Sequence, residues 1–307
     1  MILVLAQMEG QIIFVSQNGT GNGTSWNKAM GDLHKALAEV GPGEQIWVSA
    51  GTYFTSKADD RNKSFVIPSG IELYGGFAGV ETSIGQRDPK HHITYLSGEI
   101  GSSSNLDNAF TVIYTENVSA NTIVDGFYIT GGNANGNDKS RPLEYRGGGW
   151  YNLATGGKDS SPSISHCIFT QNLAKDGAGM LNLALQNSNC RPKISYCTFT
   201  SNKAKMNGGA LINLSMKGNC EPQINHCTLE MNTASYGAGI YNKPWSGSVK
   251  PHIQSCTFKK NKALVSGGSI HNEYSKQGAC QPTTKDNHYI ENSASVGKEH
   301  NSPGGDR

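Results

Sequence analysis

Charge is scarce in this sequence. Asp, Glu, Lys and Arg make up 16% of its 307 residues, where about 25% is usual. Lys and Arg number 26 against 24 Asp and Glu, a formal net charge of +2. So even a balance gives no electrostatic reason to expect nucleic acid or an anionic membrane as partner. Proline is scarce too, and 11 residues exclude a proline-rich linker. Long apolar runs are missing: none approaches the roughly 18 to 20 residues that span a bilayer as a helix, so no membrane-spanning helix is expected. What the chain has in excess is glycine, 38 residues, too few for collagen but well above the usual share of about 7%. With a mean hydropathy of −0.46 and abundant Asn, this composition fits an all-β, turn-rich, extracellular protein.

The start, Met1-Ile-Leu-Val-Leu-Ala-Gln7, is short and apolar and has no basic residue before it. It has two readings: a secretory-signal remnant over residues 1–11, or a frayed terminus or first strand.

Internal repetition decides the architecture. Segments beginning at Pro162, Pro192, Pro222 and Pro251 align at spacings of 30, 30 and 29 residues, a fifth copy begins at Pro282, and a divergent one runs from Val124 to Asn152. The first four carry Ile, then Cys, then Phe or Leu, then Asn, and later a Gly-rich step and a short strand ending in Asn, whereas in the fifth Thr284 replaces the Ile, Asn287 the Cys and Tyr289 the Phe. A period near 30 without helical stripes is a β-solenoid. Ile164 and Cys167 are three apart and Cys167 and Phe169 two apart, where an unbroken strand would alternate by two throughout. The extra residue marks a corner. In the early copy that corner is Asp125-Gly126, a turn dipeptide.

These features predict a single-stranded right-handed parallel β-helix. It is expected over residues 12–296, regular from 123, with a disordered tail over 297–307. Stacking then predicts interior ladders of Ile164, Ile194, Ile224 and Ile253, of Cys167, Cys197, Cys227 and Cys256, and of Phe169, Phe199, Leu229 and Phe258. Asn172, Asn202, Asn232 and Asn261, with Asn292, are expected to bond side chain to backbone at corners, as is a second column of Asn152, Asn182, Asn213, Asn242 and Asn272. Trp26, Ala29, Leu33, Leu37 and Val40 share one helical face, so a capping helix is expected over 25–40, starting at Ser25. The interior thiols are expected to be free. Cys190 and Cys220, in one phase of adjacent coils and placed on loops, are the disulfide candidate, with Cys280 left unpaired.

The motifs carry a resemblance. Gly208-Gly-Ala-Leu211 with Phe199-Thr-Ser-Asn202 resembles the repeats of chlamydial polymorphic outer-membrane proteins, which are adhesins. Over residues 12 to 296 the chain resembles secreted β-helix proteins of Bacteroidetes type in the pectin-lyase-like superfamily. That resemblance rests on Gly23-Thr-Ser-Trp26, Ile46-Trp-Val-Ser-Ala-Gly-Thr-Tyr53, Tyr74-Gly-Gly-Phe-Ala-Gly-Val-Glu-Thr82, Gln86-Arg-Asp-Pro89 and Leu96-Ser-Gly-Glu-Ile-Gly101. It implies the β-helix and a place outside the cell or on the bacterial surface. It does not fix an activity, because the superfamily mixes lyases, hydrolases and non-catalytic proteins.

Two functions follow. The first is a non-catalytic adhesin or glycan-binding module needing no cofactor, with a polysaccharide or cell-surface glycan as partner. Its expected binding row is Tyr151, Tyr241, Trp245 and His271, whose flat groups suit sugar rings. The opposing reading is that loops bury this row, as its aliphatic neighbours Leu181 and Ile212 suggest. The alternative function is a polysaccharide lyase, with Ca²⁺ held by carboxylates and a Lys or Arg base, or a glycoside hydrolase using a carboxylate pair. Asp176, Glu221, Glu230, Glu273, Asp286 and Glu291 sit at different repeat phases, so neighbouring coils stack no such pair. Arg87, Asp88, His91, His92, Glu99 and Asp107 cluster in the early sequence, either as an acid–base or metal site or as loop braces. No catalytic residue is assigned.

Overall fold

A computed structural model describes residues 10–102, 104–138 and 140–295. The signal-like residues 1–9 and the tail 297–307 lie outside the described residues. The chain winds as a parallel β-helix whose strands pair coil to coil. Sheet 1 has nine strands, from Ile12–Val15 and Gln45–Ser49 to Thr283–Lys285. Sheet 2 has eight, from Gly51–Phe54 to His288–Ile290. Sheet 3 has ten, among them Trp150–Ala154, Met180–Leu185, Leu211–Cys220 and Ile240–Val249. Sheet 4 is a six-stranded side sheet, from Asn133–Ala134 to Ser293–Ala294. No helix among the described residues is long and apolar enough to cross a membrane.

The corners explain the broken alternation. His166, Tyr196, His226, Ser255 and Asp286 all have φ between 50° and 55°, a left-handed turn between sheets 1 and 2. A second set, Gln171, Ser201, Met231, Lys260 and Glu291, turns the chain again at φ of 53° to 57°. Such a conformation costs a non-glycine residue about 1–2 kcal/mol. Coil-to-coil hydrogen bonds hold it, as where Tyr196 N donates to Asn225 O at 3.1 Å.

Inside, the columns stack in register. Ile164, Ile194, Ile224 and Ile253 pair successively, as do Phe169, Phe199, Leu229 and Phe258. The Phe169 and Phe199 rings lie 4.4 Å apart and 7° from parallel. Each interior thiol donates to a carbonyl one coil back, Cys197 to Ile164 at 3.7 Å and Cys256 to Ile224 at 3.4 Å. The first Asn column makes three bonds per rung: Asn202 Nδ2 donates to Asn232 Oδ1 at 3.0 Å and to Phe169 O at 2.9 Å, and Asn202 N donates to Asn232 Oδ1 at 3.0 Å. Every member is buried, so each amide replaces the water it gives up.

Three expectations need correction. The second Asn column, apart from Asn272, lies inside strands and not at their ends. Asn182 lies within Met180–Leu185, and Asn213 within Leu211–Cys220. There the amides form a buried ladder along the strands, Asn182 Nδ2 to Asn213 Oδ1 at 3.0 Å.

The Cys190–Cys220 disulfide is absent, and both thiols are free and buried. The reason is that strand, not loop, carries them. Cys190 pairs in register with Cys220, and parallel neighbours point the same way. Asn152 Nδ2 donates to Cys190 Sγ at 3.2 Å, and Cys220 donates to Asn182 O at 3.7 Å. The residue in this phase of the next coil is Val249, which pairs with Cys220 and with Cys280.

The capping helix is shorter than 25–40. Trp26–Lys28 is a single 3-10 turn, and Ser25 makes no side-chain cap. Met30 forms an isolated parallel bridge to Val15. At Gly31 a Cβ would stand 2.1 Å from the Gly19 carbonyl oxygen, an approach that only glycine tolerates. The helix begins after that contact, over Leu33–Glu39, with Asp32 accepting from His34 N at 2.9 Å and Lys35 N at 3.3 Å. Leu33, Ala36 and Leu37 join the core, while Trp26 turns outward onto Phe14 and Phe77.

Candidate functional site

The outer face of sheet 3 holds the expected binding row, and the structure seals most of it. Tyr151 is 3% exposed and Tyr241 2%, so neither offers a ring face to a sugar. They are not neighbours either: Leu181 and Ile212 occupy the rungs between them. Together these four form an apolar cluster outside the coil, with Leu183 and Leu214. The Gly-rich corner supplies the close cover, and Trp245, in the segment after Asn242, adds to it at the edge. At Gly177 a Cβ would stand 2.3 Å from Ile212 Cγ2, and at Gly237 2.8 Å from Tyr241 Cβ. Both glycines have positive φ, 66° and 60°. Tyr236 and Trp245 pack over the edge, and the Arg146 guanidinium lies 5.3 Å from the Trp245 ring.

The row's last members do meet. His271 stacks on Tyr241 with centroids 5.3 Å apart. The Tyr241 hydroxyl donates to Glu273, which also pairs with Lys243 at 2.6 Å. Burial, then the Glu273 bond, push the Tyr241 phenol up, and burial pushes the His271 imidazole down. Burial works against the Glu273 carboxylate, yet its bonds from Lys243 and Tyr241 hold it below the usual range. Tyr241 and Lys243 both bond to Glu273, and His271 stacks on Tyr241 while its Nδ1 bonds to Ser266 Oγ at 3.3 Å, so the cluster reads as a brace.

Among the early charged residues, Arg87, Asp88, His91 and Asp107 also brace. Arg87 pairs with Asp125 at 2.5 Å, and its guanidinium lies 5.1 Å from the Tyr74 ring. Asp88 pairs with His91 at 2.7 Å on the surface. The Asp107 carboxylate accepts from Ser102 N at 2.9 Å and Ser102 Oγ at 2.6 Å, and these bonds hold it below its usual range. No group of three or more His, Cys, Asp or Glu among the described residues is placed to hold a metal.

The open surface is on sheet 2, over the early coils. Tyr95 and Tyr128 pair in register on adjacent strands, half-buried, with ring centroids 5.2 Å apart. They line a groove of about 890 Å³ with Phe54, Lys57, Glu99 and Gln171. Phe54 is 43% exposed. The ring positions follow from alternation: Tyr53, Leu96 and Ile129 point into the core, so Phe54, Tyr95 and Tyr128 point out. The phase of Tyr128 was readable, since Ile129 aligns with Phe169. Tyr95 had no repeat to align it.

A family model described as "Protein of unknown function (DUF1565)" matches residues 15–267. The chain belongs to this family. Its matched region takes in both the aromatic groove and most of the regular coils. No curated protein matches. Among solved structures, the chain is similar to the crystal structure of pectate lyase Pel9A. The identity is 14%, the TM-score is 0.44, and the match covers 90% of this chain and 78% of the other.

Proposed function

We propose that this DUF1565 protein is a secreted or cell-surface β-helix that binds a polysaccharide without cleaving it, in the groove of Phe54, Tyr95 and Tyr128. One observation carries the reading: two tyrosine rings on successive coils, 5.2 Å apart, half-buried in an open groove. Aromatic faces gain by covering the apolar faces of sugar rings. Coils about 4.8 Å apart set such rings in a row along the axis, as a linear chain requires. Lys57, Glu99, Thr130, Thr170 and Gln171 supply donors and acceptors around the rings. Glu99 is the one carboxylate among the described residues lining this groove, whereas glycoside hydrolysis uses two. This favours binding over cleavage. The resemblance of the repeats to chlamydial adhesins and Bacteroidetes-type secreted proteins supports a place outside the cell, and the binding mode needs no cofactor.

A glycan array followed by calorimetry on the best ligand tests the reading. Tyr128→Ala is expected to weaken binding about fivefold or more, the scale of one lost aromatic contact. Reducing-end and unsaturated-product assays are expected to show no turnover. Unchanged affinity in Tyr128→Ala with Tyr95→Ala would overturn the site, and measurable product would overturn the non-catalytic reading.

A further inference from the structure

A second surface differs in chemistry from the aromatic groove. We infer that the outer face of sheet 4 binds a linear anionic polysaccharide through Lys175, Lys203, Lys205 and Lys262. Strand register places these residues. Leu173 pairs with Lys203, Lys203 with Thr233, and Thr233 with Lys262. Lys175 and Lys205 follow two residues after Leu173 and Lys203, so all four share one face. They line a groove of about 870 Å³ that runs from Asn133 and Asn135 to the last of these lysines. Its alanine row, Ala174, Ala204 and Ala234, is buried.

None of the four lysines is paired with a carboxylate among the described residues, and the Lys175 ammonium lies 5.6 Å from the Tyr145 ring. Elsewhere Lys35, Lys243 and Lys260 pair with carboxylates. Among the described residues no carboxylate lies within 4 Å of these four. The nearest acid in sequence, Asp176, is turned away to Arg146 at 3.6 Å and Asn207 at 2.8 Å. Lys203, Lys205 and Lys262 are exposed. Like charges held on neighbouring rungs repel one another, and an anion laid along them relieves that repulsion.

The shape and composition of the groove choose the anion. The lysines span three rung steps, roughly 14 Å, which suits a chain carrying acid groups at intervals. The groove has no aromatic ring for a base to stack on and no arginine fork for phosphate. The protein as a whole carries only +2, without the broad positive field of a nucleic-acid binder. A concave groove also fits a chain better than a flat lipid surface.

The test uses the intact protein with a polyuronate as probe, its neutral methyl ester, single-stranded DNA and anionic vesicles as controls. The polyuronate is expected to bind, to weaken as salt rises, and to bind Lys203→Glu/Lys205→Glu about tenfold or more weakly. Lys203→Gln/Lys205→Gln, which removes charge without adding any, is expected to fall between. Tyr95→Ala/Tyr128→Ala is expected to leave polyuronate binding in place, which separates this surface from the aromatic groove. Polyuronate affinity unchanged in both lysine variants would overturn the inference. So would loss of binding in the tyrosine variant alone, or equal affinity for DNA, for vesicles or for the neutral ester.

Discussion

Two outer faces of the same coil behave in opposite ways. On sheet 3, Tyr151, Leu181, Ile212 and Tyr241 point away from the interior and are nonetheless 0 to 3% exposed. On sheet 2, Tyr95 and Tyr128 also point away and line an open groove. Strand alternation assigns a side chain to a face, but it does not say whether that face meets water. In a β-helix the corners decide. Beside sheet 3, glycines at positive φ bring the backbone within contact of the outer row, as Gly177 does with Ile212. Beside the early coils of sheet 2, the loops carrying Lys57 and Glu99 form the walls of the groove and leave its floor uncovered. The sealed face therefore contributes stability, and the open one stays accessible to solvent.

The sharpest way to break this comparison is to truncate side chains on each surface and measure unfolding in denaturant. Phe199 sets the upper limit: it is stacked and fully buried, so Phe199→Ala is expected to cost about 3–5 kcal/mol. On the sealed face, Ile212→Ala is expected to cost about 2–5 kcal/mol, as if Ile212 lay in the interior. On the open face, Tyr128→Ala is expected to cost about 1 kcal/mol or less. Equal costs for Ile212→Ala and Tyr128→Ala would abolish the distinction between the faces.

Thiol chemistry sharpens the account further. Burial pushes the Cys197 and Cys220 thiols up, and the Cys280 thiol to about 12. All seven cysteines are buried, and a reagent must reach the sulfur to react, so the native protein at pH 8 is expected to react negligibly with a thiol reagent. Denatured without reductant, it is expected to show all seven cysteines free. Five free groups would restore the disulfide.

The repeat made the interior legible. Each coil contributes one residue to each column, so Ile164, Cys167, Phe169 and Asn172 recur at the coil period and can be read without coordinates. The early coils have no such period, and their loops differ in length. Tyr95 therefore could not be aligned, and the groove it forms was missed. The cover over Tyr151 and Tyr241 was legible only as one of two alternatives. It comes from backbone at Gly147, Gly177, Gly208 and Gly237, whose left-handed turns show in the sequence only as glycine. Cys190 and Cys220 were misplaced for a related reason. Their segments are rich in turn-forming residues, yet coil-to-coil pairing holds them as strand. The helix start was displaced from Ser25 to Asp32 by the Gly19–Gly31 contact, a tertiary approach that capping preferences cannot show.

The central claim is the contrast between the two faces, and hydroxyl-radical footprinting of the native protein, read by peptide mass spectrometry, tests it most directly. Tyr95 and Tyr128 are expected to be modified readily, and Tyr151 and Tyr241 to stay protected until the protein unfolds. Ready modification of Tyr151 and Tyr241 with Tyr95 and Tyr128 protected would contradict the account.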